Sequence, residues 1–132
     1  MEVGNPSVIV DTNALSAIAD ERDQIRELLG RATGIAVPVI AIGEYRSGIA
    51  RSRNFLRYQQ WLDEFILASR VLVIDEFTTR SYADISLELR HVGKPIPTND
   101  IWIAALCRQH ELPLLSRDRH FDTVRGIRRI EW

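Results

Sequence analysis

The chain has one cysteine, Cys107, in 132 residues. No internal disulfide framework can hold it together, and a reducing, cytoplasmic setting is the natural expectation. Cys107 lies in the apolar stretch 101–107, where a buried, inert thiol is expected rather than a nucleophile. No apolar run approaches the roughly 18 residues a membrane-spanning helix needs, so no membrane role is read. The opening residues, Met1 to Pro6, show no basic segment followed by an apolar core, and so no secretory leader. A Gly-x-x-x-x-Gly-Lys-Ser/Thr segment is also missing, which excludes a P-loop nucleotide binder. Neither charge dominates, for the formal net charge is -1. Nucleic-acid binders often carry a strong basic excess. Near-neutrality does not exclude one, because an acidic site cancels part of a basic surface in the sum. Repeats, low-complexity tracts and linkers are lacking too, and the length suits one domain over residues 1–132.

What is present alternates. Val8-Ile9-Val10 reads as a short buried strand, followed by helices over 13–19 and 23–30, the second closed by Gly30. Residues 35–37 form a second strand stopped by Pro38, and a helical pattern runs from Val39 to about Arg51. The clearest amphipathic helix covers 54–69, with Phe55, Tyr58, Leu62 and Phe65 on one stripe that Trp61 and Ile66 widen. A third strand is expected at 71–74 and a helix at 77–92 ended by Gly93. After the Pro95 and Pro97 turn, Thr98 or Asn99 is expected to cap a helix running to His110. Strands at 112–115 and 128–131 complete the pattern. Strands alternating with helices predict an α/β fold, a three-layer α/β/α sandwich around a parallel sheet of four or five strands. In such sheets ligands gather beyond the carboxyl ends of the strands.

Four acids stand where that geometry would use them. Asp11 follows the first strand directly and reads equally as a site residue or as the N-cap of the next helix. Glu44 lies inside a helix, where a solvated glutamate or a partner for Arg46 or Arg51 is the simpler reading; neighbouring Gly43 would admit a close approach by backbone or ligand. Asp100 falls in the first turn of a helix, which the macrodipole favours. That helix is apolar nearly all round, however, so its amino end must be buried, and a carboxylate there needs a cation or several donors. Asp118 follows the fourth strand in the charged turn 116–122, where Asp122 is a possible fifth carboxylate, better read as a cap or salt-bridge partner. His120 is a candidate phosphate contact or a plain surface histidine. Four converging carboxylates raise one another's pKa unless a divalent ion neutralises them. An all-oxygen set favours Mg²⁺ or Mn²⁺ over zinc, and the chemistry that uses such a site most directly is phosphoryl transfer.

Four segments carry a family resemblance: Val10-Asp11-Thr12-Asn13-Ala14-Leu15, Pro38 to Glu44, Thr98-Asn99-Asp100-Ile101-Trp102-Ile103-Ala104-Ala105, and Leu115 to Asp122. In that order and at this length the chain resembles the PIN-domain nucleases, most closely the VapC-type toxins of toxin–antitoxin pairs. The resemblance implies an endoribonuclease dependent on Mg²⁺ or Mn²⁺, with Asp11, Glu44, Asp100 and Asp118 as its catalytic and metal-holding acids. Thr12 or Asn13, Thr98 and Ser116 match the supporting polar positions. It also implies a homodimer and a small antitoxin whose tail fills a groove beside the acids, to which Tyr58, Trp61 and Phe65 could contribute. Arg46, Arg51, Arg53, Arg117 and Arg119 are candidates to hold an RNA backbone. An aspartyl-phosphate phosphatase of the haloacid dehalogenase type is disfavoured, because its second aspartate is here Asn13. The non-enzyme alternative is an inactive PIN-like RNA- or protein-binding scaffold.

Overall fold

The computed structural model describes residues 6–132; Met1 to Asn5, where no leader pattern is read, lie outside the described residues. The elements run β1 (Val8–Val10), α1 (Thr12–Ala19), α2 (Asp23–Gly30), β2 (Ile35–Pro38), α3 (Val39–Ile49), α4 (Phe55–Leu67), β3 (Arg70–Leu72), α5 (Glu76–Val92), α6 (Thr98–His110), β4 (Leu114–Leu115), a 3-10 turn (Arg119–Thr123) and β5 (Arg129–Ile130). The five strands form one sheet in the order β3-β2-β1-β4-β5, and every neighbouring pair is parallel. The expected α/β sandwich is therefore present.

The period of two along each strand sorts side chains into two cores. Ile9, Ala36, Leu72 and Leu114 pack with α5 and α6, together with Phe121 and Val124. Val8, Val10, Val37 and Leu115 point the other way, against α1, α2, α3 and α4. Strands buried on both faces read as continuous apolar runs, which is how β1 announces itself in sequence. The helix α6 is the most deeply packed, with Ile103, Ala104, Ala105 and Leu106 at 0% exposure and Cys107 at 1%. Burying each such isoleucine or leucine contributes about 1.5–3 kcal/mol. Burial also drives the Cys107 thiol well above its usual range, so it stays protonated and inert, as its apolar setting predicts.

Several boundaries differ from the sequence reading. The third strand ends at Leu72, not Ile74, because its last partner is Pro38, where β2 turns into α3. Val73 and Ile74 have the composition of a strand but no ladder to join, and both are exposed. The helix at 98–110 has Pro97 as its N-cap and no side-chain cap bond, so neither Thr98 nor Asn99 caps it. The fifth strand shrinks to Arg129–Ile130, and the charged turn after β4 contains a 3-10 segment that the sequence reading missed. Conversely, α5 begins with a capping box: Thr78 N donates to the Asp75 carboxylate, and Asp75 N donates to Thr78 Oγ1.

The topology has one consequence for function. From β1 the chain moves outward to β2 and β3, then returns to the other side of β1 as β4 and β5. The reversal opens a crevice beyond the carboxyl ends of β1 and β4, the place where doubly wound sheets bind ligands. Asp11 leaves the end of β1 there, and Ser116 leaves the end of β4.

Candidate active site

That crevice is an open cleft of about 620 Å³, and Asp11, Glu44, Asp100 and Asp118 all line it. The structure therefore brings the four sequence-selected acids to one place, from the end of β1, the middle of α3, the first turn of α6 and the loop after β4. Thr12, Asn13, Pro97, Thr98, Asn99 and His120 complete much of the wall. The amino ends of α1 and α6 thus both face the cleft and turn their positive dipole ends toward it.

Asp11 takes the N-cap position of one of its readings and also lines the cleft. It is the N-cap of α1, accepting from Thr12 N at 2.8 Å, and it is only 4% exposed. Its other oxygen accepts from Ser116 Oγ at 2.7 Å and Asn13 Nδ2 at 3.3 Å. Burial raises its pKa, the Ser116 and Thr12 donors partly oppose this, and the Asp100 and Glu44 charges add to it. Ser116, fully buried, is the hub of this half. Its oxygen also accepts from Asp118 N at 3.0 Å, tying the loop after β4 to the loop after β1. Asn13 strengthens the tie by accepting from Arg117 N at 3.2 Å. Glu44 reaches the cleft from α3 and accepts from Thr12 Oγ1 at 2.9 Å. It is not paired with Arg46, which instead meets Asp63 at 3.3 Å. Gly43 makes no close approach: a Cβ there would meet nothing within 4 Å.

The other half is organised around His120. Its Nε2 lies 2.5 Å from Asp100 Oδ2 and 3.0 Å from Asp118 Oδ2. Nε2 thus sits between two carboxylate oxygens, within hydrogen-bond distance of both. Burial raises the Asp100 pKa, while the His120 hydrogen bond and charge pull it back and the Asp118 and Glu44 charges push it up. His120 is thus neither a free surface residue nor a group pointed at open solvent. Sequence reasoning missed this because the 3-10 turn folds the side chain back toward Asp118. Asp122 stands apart from the cleft, held by Arg129 through bonds of 2.9 and 3.0 Å. Arg129 also donates to the Ser116 carbonyl at 3.1 Å, so this unanticipated arginine clamps the loop that carries Asp118.

Among the described residues no arginine lines the cleft. Arg117 lies over the Trp132 ring at 4.7 Å, and Arg119 comes within 4.0 Å of Glu131. A second, smaller cleft of about 260 Å³ adjoins the first, sharing Thr12, Ser16 and Glu44 and continuing past Tyr45, Ser52 and Tyr58. Of the aromatic stripe on α4, Tyr58 lines that cleft, whereas Trp61 stacks on Phe65 and contacts Tyr45 within the helical layer.

The donor chemistry fits a hard divalent cation. Four carboxylates in one cleft, two with pKa values raised by burial and mutual repulsion, gain most from a bound positive ion. Thr12, Asn13 and Ser116 orient the oxygens from behind, as partners of metal-holding carboxylates do.

Comparison with known proteins agrees with this geometry. The family model described as the PIN domain matches residues 8–127. The chain is 26% identical over 125 residues to ribonuclease VapC5 of Mycobacterium tuberculosis, covering 93% of this chain and 91% of that protein. It is 28% identical over 121 residues to ribonuclease VapC4 of the same organism, covering 90% and 92%. Among solved structures, the DNA-bound VapBC of Salmonella typhimurium aligns with a TM-score of 0.85 at 25% identity, over 96% of this chain and 98% of that one.

Proposed function

The chain belongs to the PIN-domain family, and on that premise we propose that it is a metal-dependent endoribonuclease, the toxin of a type II toxin–antitoxin pair. Its substrate is a structured RNA whose phosphodiester bonds it hydrolyses. The observation that carries the reading is the convergence of Asp11, Glu44, Asp100 and Asp118 on one cleft at the switch point of the sheet. Its relatives over nearly the full length are ribonucleases.

In this reading the four carboxylates hold Mg²⁺ or Mn²⁺. When bound, the cation supplies stabilisation of the charge that develops on the phosphate. The chain's own residues do the rest. Ser116 and Asn13 fix the Asp11 carboxylate, and Thr12 holds Glu44. The amino ends of α1 and α6 present N–H groups toward a phosphate in the cleft. With no arginine in the cleft wall among the described residues, Arg46, Arg51, Arg53, Arg117 and Arg119 serve the RNA backbone beyond the scissile bond. The smaller cleft beside Glu44, with Tyr58 on its wall, suits the tail of a small antitoxin, and the protein works in the cytoplasm as a homodimer. Among the described residues no helix is long and apolar enough to cross a membrane.

The test is cleavage of RNA by Asp11→Asn and Asp100→Asn in Mg²⁺ or Mn²⁺. Loss of even a supporting partner costs roughly 10- to 100-fold, and each of these changes is expected to cost at least that. Full activity in either variant overturns the assignment. Calorimetric titration with Mn²⁺ separates the enzyme from an inactive scaffold, which binds none.

A further inference from the structure

We propose that His120 is a nitrogen ligand of the divalent cation in this cleft and that it biases the site toward Mn²⁺ over Mg²⁺. The inference rests on the metal-nuclease reading above. Among the described residues, the His, Cys, Asp and Glu side chains whose ligand atoms gather closely enough to share one ion are Asp100, Asp118 and His120. Asp11 and Glu44 line the same cleft but stand outside that tight group. The resemblance was drawn on the four carboxylates; the imidazole is read from the geometry.

The imidazole is built into its position. It comes from the 3-10 turn Arg119–Thr123, which is anchored by Phe121 at 0% exposure. Thr123 Oγ1 donates to the His120 carbonyl at 2.7 Å, and the ring leans on Phe121 with centroids 5.3 Å apart. A histidine serving only to touch a phosphate would direct its polar edge to the open side of the cleft. Here Nε2 points between two carboxylates that the metal reading already requires.

The spacing suits shared coordination. Adjacent ligands on an octahedral ion with bonds of about 2.1 Å lie about 3 Å apart. His120 Nε2 and Asp118 Oδ2 are 3.0 Å apart already, while Asp100 Oδ2 at 2.5 Å has only to open by a fraction of an ångström. Coordination uses the Nε2 lone pair, so the single proton of the neutral ring resides on Nδ1 in the loaded state. Mg²⁺ demands a near-ideal octahedron and dehydrates reluctantly, so it gains little from such a ligand, whereas Mn²⁺, the first ion of the transition-metal affinity series, accepts a mixed nitrogen and oxygen set more readily than Mg²⁺ does. An otherwise all-carboxylate site is thereby tuned by one side chain.

The experiment titrates the full-length protein with MnCl₂ and with MgCl₂ by calorimetry, and records pulsed electron paramagnetic resonance on the Mn²⁺ complex. The wild type is expected to bind Mn²⁺ more tightly than Mg²⁺ and to show nitrogen modulation, which changes to the ¹⁵N pattern when histidine is ¹⁵N-labelled. His120→Ala is expected to lose that modulation and roughly 10- to 100-fold of Mn²⁺ affinity, with Mg²⁺ affinity nearly unchanged. His120→Gln, which keeps a donor to the carboxylates, is expected to lose the modulation likewise. The labelled wild type reads the ligand directly, so the result does not depend on a variant that folds. Mn²⁺ binding without a histidine nitrogen signal overturns the inference and leaves the nuclease reading standing. A wild type that binds neither ion overturns both.

Discussion

The two halves of the cleft hold their carboxylates by different means. Asp11 and Glu44 are fixed by uncharged donors, namely Thr12 N, Thr12 Oγ1, Asn13 Nδ2 and Ser116 Oγ. Asp100 and Asp118 are bridged by an imidazole. Neutral donors set the position of an anion while leaving its charge available to a cation. An imidazole positions and, when protonated, also neutralises. The first half is accordingly a preformed acceptor, with Asp11 buried and cross-tied between β1 and β4. The second is more open, its Asp118 side chain 39% exposed, and an imidazole nitrogen already occupies the gap between its acids.

The largest separation of the two halves should come from Ser116→Ala set against His120→Gln. Ser116 is fully buried, and its hydroxyl donates to Asp11 and accepts from Asp118 N and Asn13 Nδ2. Removing it strips a donor from a buried carboxylate and leaves two N–H groups short of an acceptor. The expected cost is about 1–3 kcal/mol, read as a lower urea midpoint at unchanged slope. His120→Gln touches a pair that water already reaches, so its expected cost is within about 1 kcal/mol. Equal losses would erase the distinction between a fixed half and an exchangeable one. A smaller effect of the same kind is expected from Thr12→Ala. It removes one part-buried hydrogen bond to Glu44 and should cost about 0.5–1.5 kcal/mol. Weakened metal binding in that variant, measured beside the wild type, would show that Glu44 needs its tether.

How far each half was legible in the sequence follows from the same difference. Asp11 was picked out because a β-branched strand that ends on an aspartate is a local pattern, although that pattern read equally as an N-cap. Asp100 was visible because an apolar helix cannot present a first-turn acid to plain solvent. Glu44 was opaque from its own neighbourhood, since its partner Thr12 is 32 residues away and only the fold joins α3 to α1. His120 was misjudged for a related reason. Its role depends on a 3-10 turn whose signal in sequence is a short charged stretch, indistinguishable from a surface loop until Phe121 is seen buried beneath it. The fold was more legible than the site, because periodicity is local and convergence is not. Even there the strand ends failed: Val73 and Ile74 suit a strand, but Pro38 ends the neighbouring ladder at Leu72.

The smallest effect, and the finest test of the contrast, is the pH dependence of the metal-free protein. Burial raises the pKa of both Asp11 and Asp100 above the value of about 3.9 that an unfolded aspartate has. Between the unfolded value and the raised folded one, the native state binds more protons than the unfolded state, so stability falls as pH rises. With a chelator present, these two acids are therefore expected to lower the urea midpoint as pH rises above about 4. His110, whose pKa burial lowers, works the other way as pH nears ordinary histidine titration, so the effect is read as the difference between the wild type and each Asp→Asn variant. Saturating Mn²⁺ should reverse the trend, because the ion binds the deprotonated acids and stabilises the native state by mass action. Asp11→Asn should flatten the metal-free decline more than Asp100→Asn. Asp11 is the more deeply buried and has no cationic partner, whereas His120 offsets part of the burden at Asp100. Identical flattening in the two variants would mean that the imidazole does not distinguish one half of the cleft from the other.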